Sequence, residues 1–221
     1  KAMEHDVDYV ILCAPPKDDT PQFIVNGNHN NYKGESIVSN SSCTTNCLVP
    51  VLKCLTDNYN LNSCIFTTIH SLTSTQNIMD NVTNCFDNRS SCRSALNNII
   101  PSSTGASNNI SKILTTMKGK INGFAVRVPT TNVSLVDMNV SLNRKLDPIH
   151  SEELKSDIIS LEEVFECFEK TTESYLKSEE HQSFTKIPPI LIENRPLVSQ
   201  DFNGTTCPSI IDKQASIELN V

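Results

Sequence analysis

A chain of 221 residues is long enough for one large domain or two small ones, and 38% hydrophobic with 19% charged residues leaves material for a buried core. A formal net charge of −7, with no run of five or six like charges, argues against a nucleic-acid footprint. No apolar stretch reaches the ~20 residues of a membrane span, and the first residues have neither a signal-peptide core nor an initiator Met, so the natural chain is expected to begin further upstream.

In chain order, VDYVILCAPP reads as a buried strand stopped by Pro-Pro, and QFIVNGNHNNYKGE as a short strand followed by a Gly/Asn turn. ESIVSN is a further short strand that runs into SNSSCTTNCLVP. From Cys43 to about residue 59 the apolar positions Cys47, Leu48, Val51, Leu52 and Leu55 have helical spacing. Ser41 or Ser42 is the expected N-cap, and Pro50 removes one internal hydrogen bond from that helix.

SCIFTTIH reads as a strand ending at His70, and residues 71–92 as a long polar loop. PSSTGASNNISKILTTMKGK is a turn leading into a helix that stops at Gly119. INGFAVRVP and NVSLVDMNVSLNRK are strands. In the second, Val136, Met138, Val140 and Leu142 alternate with polar residues, the pattern of a half-solvated antiparallel sheet. Residues 148 to about 178 have a helical pattern that places Ile158, Ile159, Leu161, Val164, Phe165 and Phe168 near one face. PPILIEN and PLVSQDF read as short strands, and ASIELNV as a strand at the chain end. No G-x-G-x-x-G or phosphate-loop motif occurs.

Nine cysteines are present with no C-x-x-C. Without a secretory signal they are expected as free thiols, and no Cys pairs with a His at zinc-ligand spacing. If the helix begins at Cys43, its thiol meets the unpaired N–H groups and the positive end of the helix dipole, which favour thiolate. Such a sulfur attacks carbonyl carbons, and the same N–H groups can hold the resulting oxyanion. The alternative is a structural Cys, the role expected of Cys47 one turn on. A base is needed, and five His are available: His5, His29, His70, His150 and His181. His70 ends an apolar strand beside a polar loop, but spacing alone does not select it.

Hydroxyl groups cluster around these positions. Ser42 and Thr44 flank Cys43, Thr73 and Thr75 follow His70, and Thr104 and Gly105 precede a helix. Each cluster is either an anion site or ordinary capping chemistry. Arg127 lies within the apolar FAVRVP, where a buried cation needs an anionic partner. That partner is either a phosphate or a carboxylate such as Asp137.

With these residues in view, the chain resembles glyceraldehyde-3-phosphate dehydrogenases. The resemblance rests on SNSSCTTNCLVP, FTTIHSLTSTQ, RSALNNIIPSSTGAS, GFAVRVPTTNVSLVDMNVSL and, more weakly, VSQDFNG, in the family's order. It implies an α/β fold in two parts: residues 1–42 the end of a Rossmann-type NAD-binding domain, and 43–221 an α+β catalytic domain with a mixed, largely antiparallel sheet and helices on one face. It implies that Cys43 is the nucleophile, forming a hemithioacetal and then a thioester, and that His70 is the base. Ser42, Thr44, Thr104 and Gly105 match the inorganic-phosphate site; Thr73, Thr75 and Arg127 match the substrate-phosphate site. Cys13 stands where a Ser is usual near the cofactor.

The resemblance further implies NAD as cofactor, glyceraldehyde 3-phosphate and inorganic phosphate as partners, a homotetramer when the chain is full length, and a cytoplasmic location. The family's Gly-Pro-Ser and Trp-Arg residues are not recognisable in the loop 77–92. Competing readings are a catalytically silent relative acting in binding or regulation, a sister aldehyde oxidation, and a cysteine protease. The last does not account for two phosphate-type clusters.

Overall fold

The computed structural model describes residues 7–81, 89–145, 158–178 and 187–219. Its centre is a four-stranded sheet in the order β4-β5-β3-β6. β3 (Tyr59–His70) pairs in parallel with β5 (Ile121–Arg127) and antiparallel with β6 (Leu135–Arg144); β4 (Ile100–Ser102) is an antiparallel edge on β5. The sheet is therefore mixed and two of its three pairings are antiparallel, in keeping with the expected fold class. The parallel β3/β5 pair needs a crossover, and the intervening chain supplies one through α2 (Arg89–Cys92), β4 and α3 (Ala106–Ile113).

Period-2 burial drives the sheet. Along β3, Leu61, Cys64, Phe66 and Thr68 are buried while Asn60, Ser63 and Ile65 face outward, with a register shift between Leu61 and Ser63. On β6, Val136, Met138, Val140 and Leu142 pack against the core, and Asp137, Asn139, Ser141 and Asn143 are exposed, as the alternation predicts.

Among the described residues, α1 (Cys43–Asn58) and the helices packed on it cover one face of the sheet. α1 lies against β3 and packs on both α3 and α4 (Leu161–Lys177). The core joins Leu48, Val49, Leu52 and Leu55 of α1, Ile110 and Ile113 of α3, Phe165 and Phe168 of α4, and Phe66 of the sheet. α1 is continuous through Pro50. The lost hydrogen bond, about 3 kcal/mol in an isolated helix, is offset by the full burial of Val49, Val51 and Leu52 beside it, each worth about 1.5–3 kcal/mol.

Several expectations are corrected. The first strand, β1 (Val10–Leu12), is not buried: it pairs in parallel with β2 (Ile37–Ser39) alone, and Ile11 is 65% exposed because no described helix packs over this two-stranded sheet. The strand expected at QFIV is a single bridge between Gln22 and Ser39, since the chain turns at once on Ile24 and Asn28. In the region 148–178 the helix begins only at Leu161, so Ile158 and Ile159 precede it. Ser160 accepts from the Glu163 N–H and the Glu163 carboxylate accepts from the Ser160 N–H, a reciprocal cap that fixes the start. Residues 148–157 lie outside the described part.

PLVSQDF is not a strand: Ser199–Phe202 form a 3-10 turn, set by the Val198 N–H donating to the Asp201 carboxylate. The second strand at this end is instead β8 (Ile210–Asp212), parallel to β7 (Leu191–Glu193), and 215–219 are irregular. Among the described residues seven cysteines are free, as expected, but buried Cys92 is disulfide-bonded.

Candidate active site

Two local devices aim Cys43. Ser41 adopts φ +58 with its side chain buried, a left-handed backbone that reverses the chain between β2 and α1. Ser42 then caps the helix, accepting from the Thr45 N–H at 3.1 Å. Cys43 is thus the first helical residue, exposed, at the end where N–H groups are unpaired.

The sheet supplies the partner groups. His70 ends β3, and the parallel register sets Arg127 of β5 directly beside it. His70 Nε2 lies 3.3 Å from Cys43 Sγ. The Arg127 Nη1 lies 2.5 Å from His70 Nδ1 and donates to the Ser71 carbonyl at 3.1 Å. Ser71 O is also 2.8 Å from His70 Nδ1. The loop after β5 braces this corner: Leu72 donates to Thr130 O, and the Ser71 N–H donates to the Ser134 hydroxyl. Next to Ser134, the β-branched Val133 takes φ +62, a strained conformation at the turn that holds His70 in place.

Electrostatics follow from the geometry. The His70 contact is the largest influence holding the Cys43 thiol below its ordinary value, with the Thr44 N–H and hydroxyl adding to it against the effect of burial. His70 is raised, first by the same Cys43 contact. Burial pushes the Cys47 thiol up, which suits the inert role expected of it. Arg127 is lowered by desolvation, and its Nε is buried without a partner among the described residues. No carboxylate pairs with Arg127 among the described residues. Asp137, the carboxylate candidate, stands on exposed β6 opposite Thr67. The unanswered Nε leaves the guanidinium suited to an anion from outside.

Cys43, His70 and Arg127 therefore form one connected chain of contacts. Thr73 and Thr75 form a second cluster just past His70: their hydroxyls are 3.0 Å apart, Thr73 donates to the Gln76 amide oxygen at 2.8 Å, and the Gln76 amide donates to Thr75 at 2.9 Å. Gln76 was not singled out in the sequence; its place three residues after Thr73 was the available signal. Thr104 accepts from the Ala106 N–H where α3 begins, and Gly105 is the cap residue of α3. Among the described residues no hydrogen bond joins either of them to Cys43 or His70. Cys13 is exposed just beyond β1, and among the described residues no hydrogen bond joins it to Cys43 or His70. Of the other His, His29 lies in a 3-10 turn and accepts from the Asn26 N–H; His5, His150 and His181 lie outside the described residues.

The carboxyl ends of β1 and β2 adjoin this site. The Asn40 N–H donates to Leu12 O at 2.8 Å, and Asn46 of α1 donates to Asn40 O at 2.7 Å. The crevice past the carboxyl ends of parallel strands is where α/β sheets take nucleotide ligands.

Comparison with known proteins agrees with this geometry. The model for the glyceraldehyde 3-phosphate dehydrogenase C-terminal domain matches residues 42–221. The chain is 39% identical over 211 residues to curated glyceraldehyde-3-phosphate dehydrogenases of Atlantibacter hermannii, Shimwellia blattae and Citrobacter freundii. The alignments take in 96% of this chain and 63% of each relative, so the chain spans about six-tenths of their length.

Proposed function

The chain belongs to the glyceraldehyde-3-phosphate dehydrogenase family, and from that premise we propose that it is the catalytic part of an enzyme that oxidises glyceraldehyde 3-phosphate to 1,3-bisphosphoglycerate with NAD and inorganic phosphate. The observation that carries this reading is the 3.3 Å contact of Cys43 with His70, backed by an Arg127 that has no carboxylate partner among the described residues.

The residues divide the work as follows. The Cys43 thiolate attacks the aldehyde carbon; a C–S bond forms and the carbonyl oxygen becomes an oxyanion. His70 Nε2 and the N–H groups at the start of α1 face that oxygen and stabilise it. His70 holds the hydroxyl proton of the hemithioacetal and takes it as the carbon is oxidised, leaving a thioester on Cys43. Inorganic phosphate attacks the thioester carbon, and the C–S bond breaks to return the Cys43 thiolate. Arg127, with Thr73 and Thr75, would hold the substrate phosphate; Ser42, Thr44, Thr104 and Gly105 would hold the attacking phosphate.

NAD, when bound, supplies the hydride acceptor. The residues present fit it at one edge: the carboxyl ends of β1 and β2, with exposed Cys13, adjoin the helix that starts at Cys43. This supports 1–42 as the end of a nucleotide-binding domain and 43–221 as the catalytic domain, as does a family match that starts at residue 42. The outer face of the sheet leaves Ile65, Phe124 and Leu135 exposed, which supports assembly into a homotetramer. Among the described residues no helix is long and apolar enough to cross a membrane; the seven free thiols suit a reducing cytoplasm, and the Cys92 disulfide stands against it.

The test is NAD reduction by the full-length chain with glyceraldehyde 3-phosphate and phosphate, in the native protein and in Cys43→Ser. Turnover that disappears in the variant supports the reading. Turnover that survives excludes a thioester on Cys43, and an inactive full-length native enzyme excludes the dehydrogenase reading.

A further inference from the structure

Two thiols outside the Cys43 site are brought together by helix packing. Cys54 stands on α1 and Cys167 on α4, and their sulfurs are 3.3 Å apart across a separation of 113 residues. Both are free thiols. A disulfide needs its sulfurs at about 2.05 Å, so closure asks for a shift of little more than an ångström between side chains already in contact.

Their environments differ in a way that assigns roles. Cys54 is 2% exposed, and its thiol is pushed up by its hydrogen bond with Cys167 and by burial. Cys167 is half-buried, and its thiol is pulled down to about 7, first by the Cys54 contact, then by the Thr171 hydroxyl and the Lys170 charge. Thr171 lies one helical turn past Cys167, and its hydroxyl is 3.0 Å from Cys54 Sγ, so a single side chain serves both sulfurs. The Lys170 ammonium is exposed and paired with Glu166 at 3.0 Å, which leaves the Cys54 and Thr171 contacts as the main polar support of Cys167. Cys167 opens onto a cleft of about 490 Å³ lined also by Asn58, Tyr59, Glu163 and Lys170, which gives a small oxidant a route to its sulfur.

We propose that Cys54 and Cys167 are a redox-modification site that closes to a disulfide under hydrogen peroxide, with Cys167 as the sulfur that meets the oxidant and Cys54 as the resolving thiol. In the first step the Cys167 thiolate attacks a peroxide oxygen. An S–O bond forms, the O–O bond breaks, and the hydroxide released takes up a proton to become water. In the second step the Cys54 sulfur attacks the Cys167 sulfenic sulfur. An S–S bond forms, the S–O bond breaks, and the departing hydroxide leaves as water with the Cys54 proton. Two thiols are oxidised and one peroxide is reduced to two waters. The bond would tie α4 to α1, the helix that carries Cys43 at its start.

The test uses the whole reduced chain, in the Cys43→Ser background so that the candidate nucleophile does not consume peroxide and the outcome is independent of the proposed enzyme activity. After peroxide treatment, remaining thiols are alkylated and peptides mapped by mass spectrometry. The expected result is a linked Cys54–Cys167 peptide, loss of alkylation at both positions, and recovery of both with dithiothreitol. In a Cys54→Ser version, a 1,3-dione probe of sulfenic acid should label Cys167. The proposal is overturned if both thiols remain alkylatable while other cysteines oxidise, or if Cys167 goes to sulfinic acid with no linked peptide. The peptide map of the chain that retains Cys54 does not depend on whether the Cys54 variant folds.

Discussion

His70 Nε2 stands 3.3 Å from Cys43 Sγ although 27 residues separate the two in the chain. The contact pulls their titrations in opposite directions: the Cys43 thiol is lowered from 9.0 and His70 is raised from 6.5, each with the other as the leading cause. A lowered thiol pKa means that the thiolate is half-formed at a lower pH, so Cys43 should react with iodoacetamide in more acidic solution than free cysteine does. The rate plotted against pH is expected to inflect at a lower pH than for free cysteine, and in His70→Asn the inflection should move back up. A native profile that matches free cysteine would show that the imidazole does not activate this sulfur.

Arg127 acts on the same imidazole from the other side. His70 Nδ1 faces both the Arg127 guanidinium, which needs a lone pair there, and the Ser71 carbonyl, which needs a proton. One protonation state cannot serve both. Were Arg127 to donate to Nδ1, the ring proton would sit on Nε2, toward Cys43; the base role needs the other state, in which Nδ1–H donates to the Ser71 carbonyl and Nε2 is free to take a proton. The guanidinium charge also opposes a charged imidazole. Arg127→Ala is therefore expected to do two things. It should raise the apparent KM for a phosphorylated aldehyde by about ten- to a hundredfold, the loss of a charge-assisted contact of about 1.5–3 kcal/mol. It should also raise the His70 pKa, read by NMR titration of the ring. An unchanged KM would leave Arg127 with a structural role only.

How far the sequence discloses this site depends on the range of the interaction. The alternation in β6 and the helical face of α1 are short-range patterns, and both elements form where the residues predict. The Cys43 and His70 roles were suggested by local chemistry, but what joins them is the placement of α1 against β3 and the register of β3 with β5, which no local pattern encodes. The Arg127 contact with His70, in place of Asp137, has the same origin. Misread segments show the reverse case. In PLVSQDF, one hydrogen bond from the Val198 N–H to the Asp201 carboxylate outweighs the β propensity of Leu197 and Val198. β4 carries Pro101, which marks a turn in a sequence yet is tolerated at a sheet edge. The strand β1 is apolar as a buried strand should be, but the described residues place no layer over it.

The cap of α4 rests on Ser160 and Glu163, and its energetic weight can be measured. Ser160→Ala removes the oxygen that accepts from the Glu163 N–H at 3.2 Å. The expected cost is about 1 kcal/mol, seen as a fall of about 2–4 °C in the thermal midpoint. Ser160→Asp, which retains an acceptor next to the positive helix end, should recover most of it. The half-exposed Arg144–Glu163 ion pair, 3.0 Å long, is expected to matter less, since partly solvated pairs contribute about 0–1 kcal/mol. Equal stability of the Ala and Asp variants would show that the cap hydrogen bond does not set the start of α4.

Gly123 offers the sharpest test of the sheet itself. It sits inside β5, opposite Phe66 of β3, and its backbone dihedrals do not require glycine; proximity does. A Cβ at 123 would meet the Phe66 carbonyl oxygen and would lie 2.7 Å from two carbons of its ring. Phe66 is 1% exposed and wedged in the core, so it has no free direction in which to retreat. Ala there should gain about 0.4–1 kcal/mol from a less flexible unfolded chain and lose about 1–3 kcal/mol or more to overpacking. The net expectation for Gly123→Ala is a lower denaturation midpoint with an unchanged denaturant slope. Gly105→Ala is the comparison: a Cβ there touches nothing within 4 Å and φ is −86°, so its midpoint should fall less than that of Gly123→Ala, by no more than the preference for Gly over Ala at a helix cap. If both variants shift alike, the close approach of β5 to Phe66 is wrong, and with it the register that sets Arg127 beside His70.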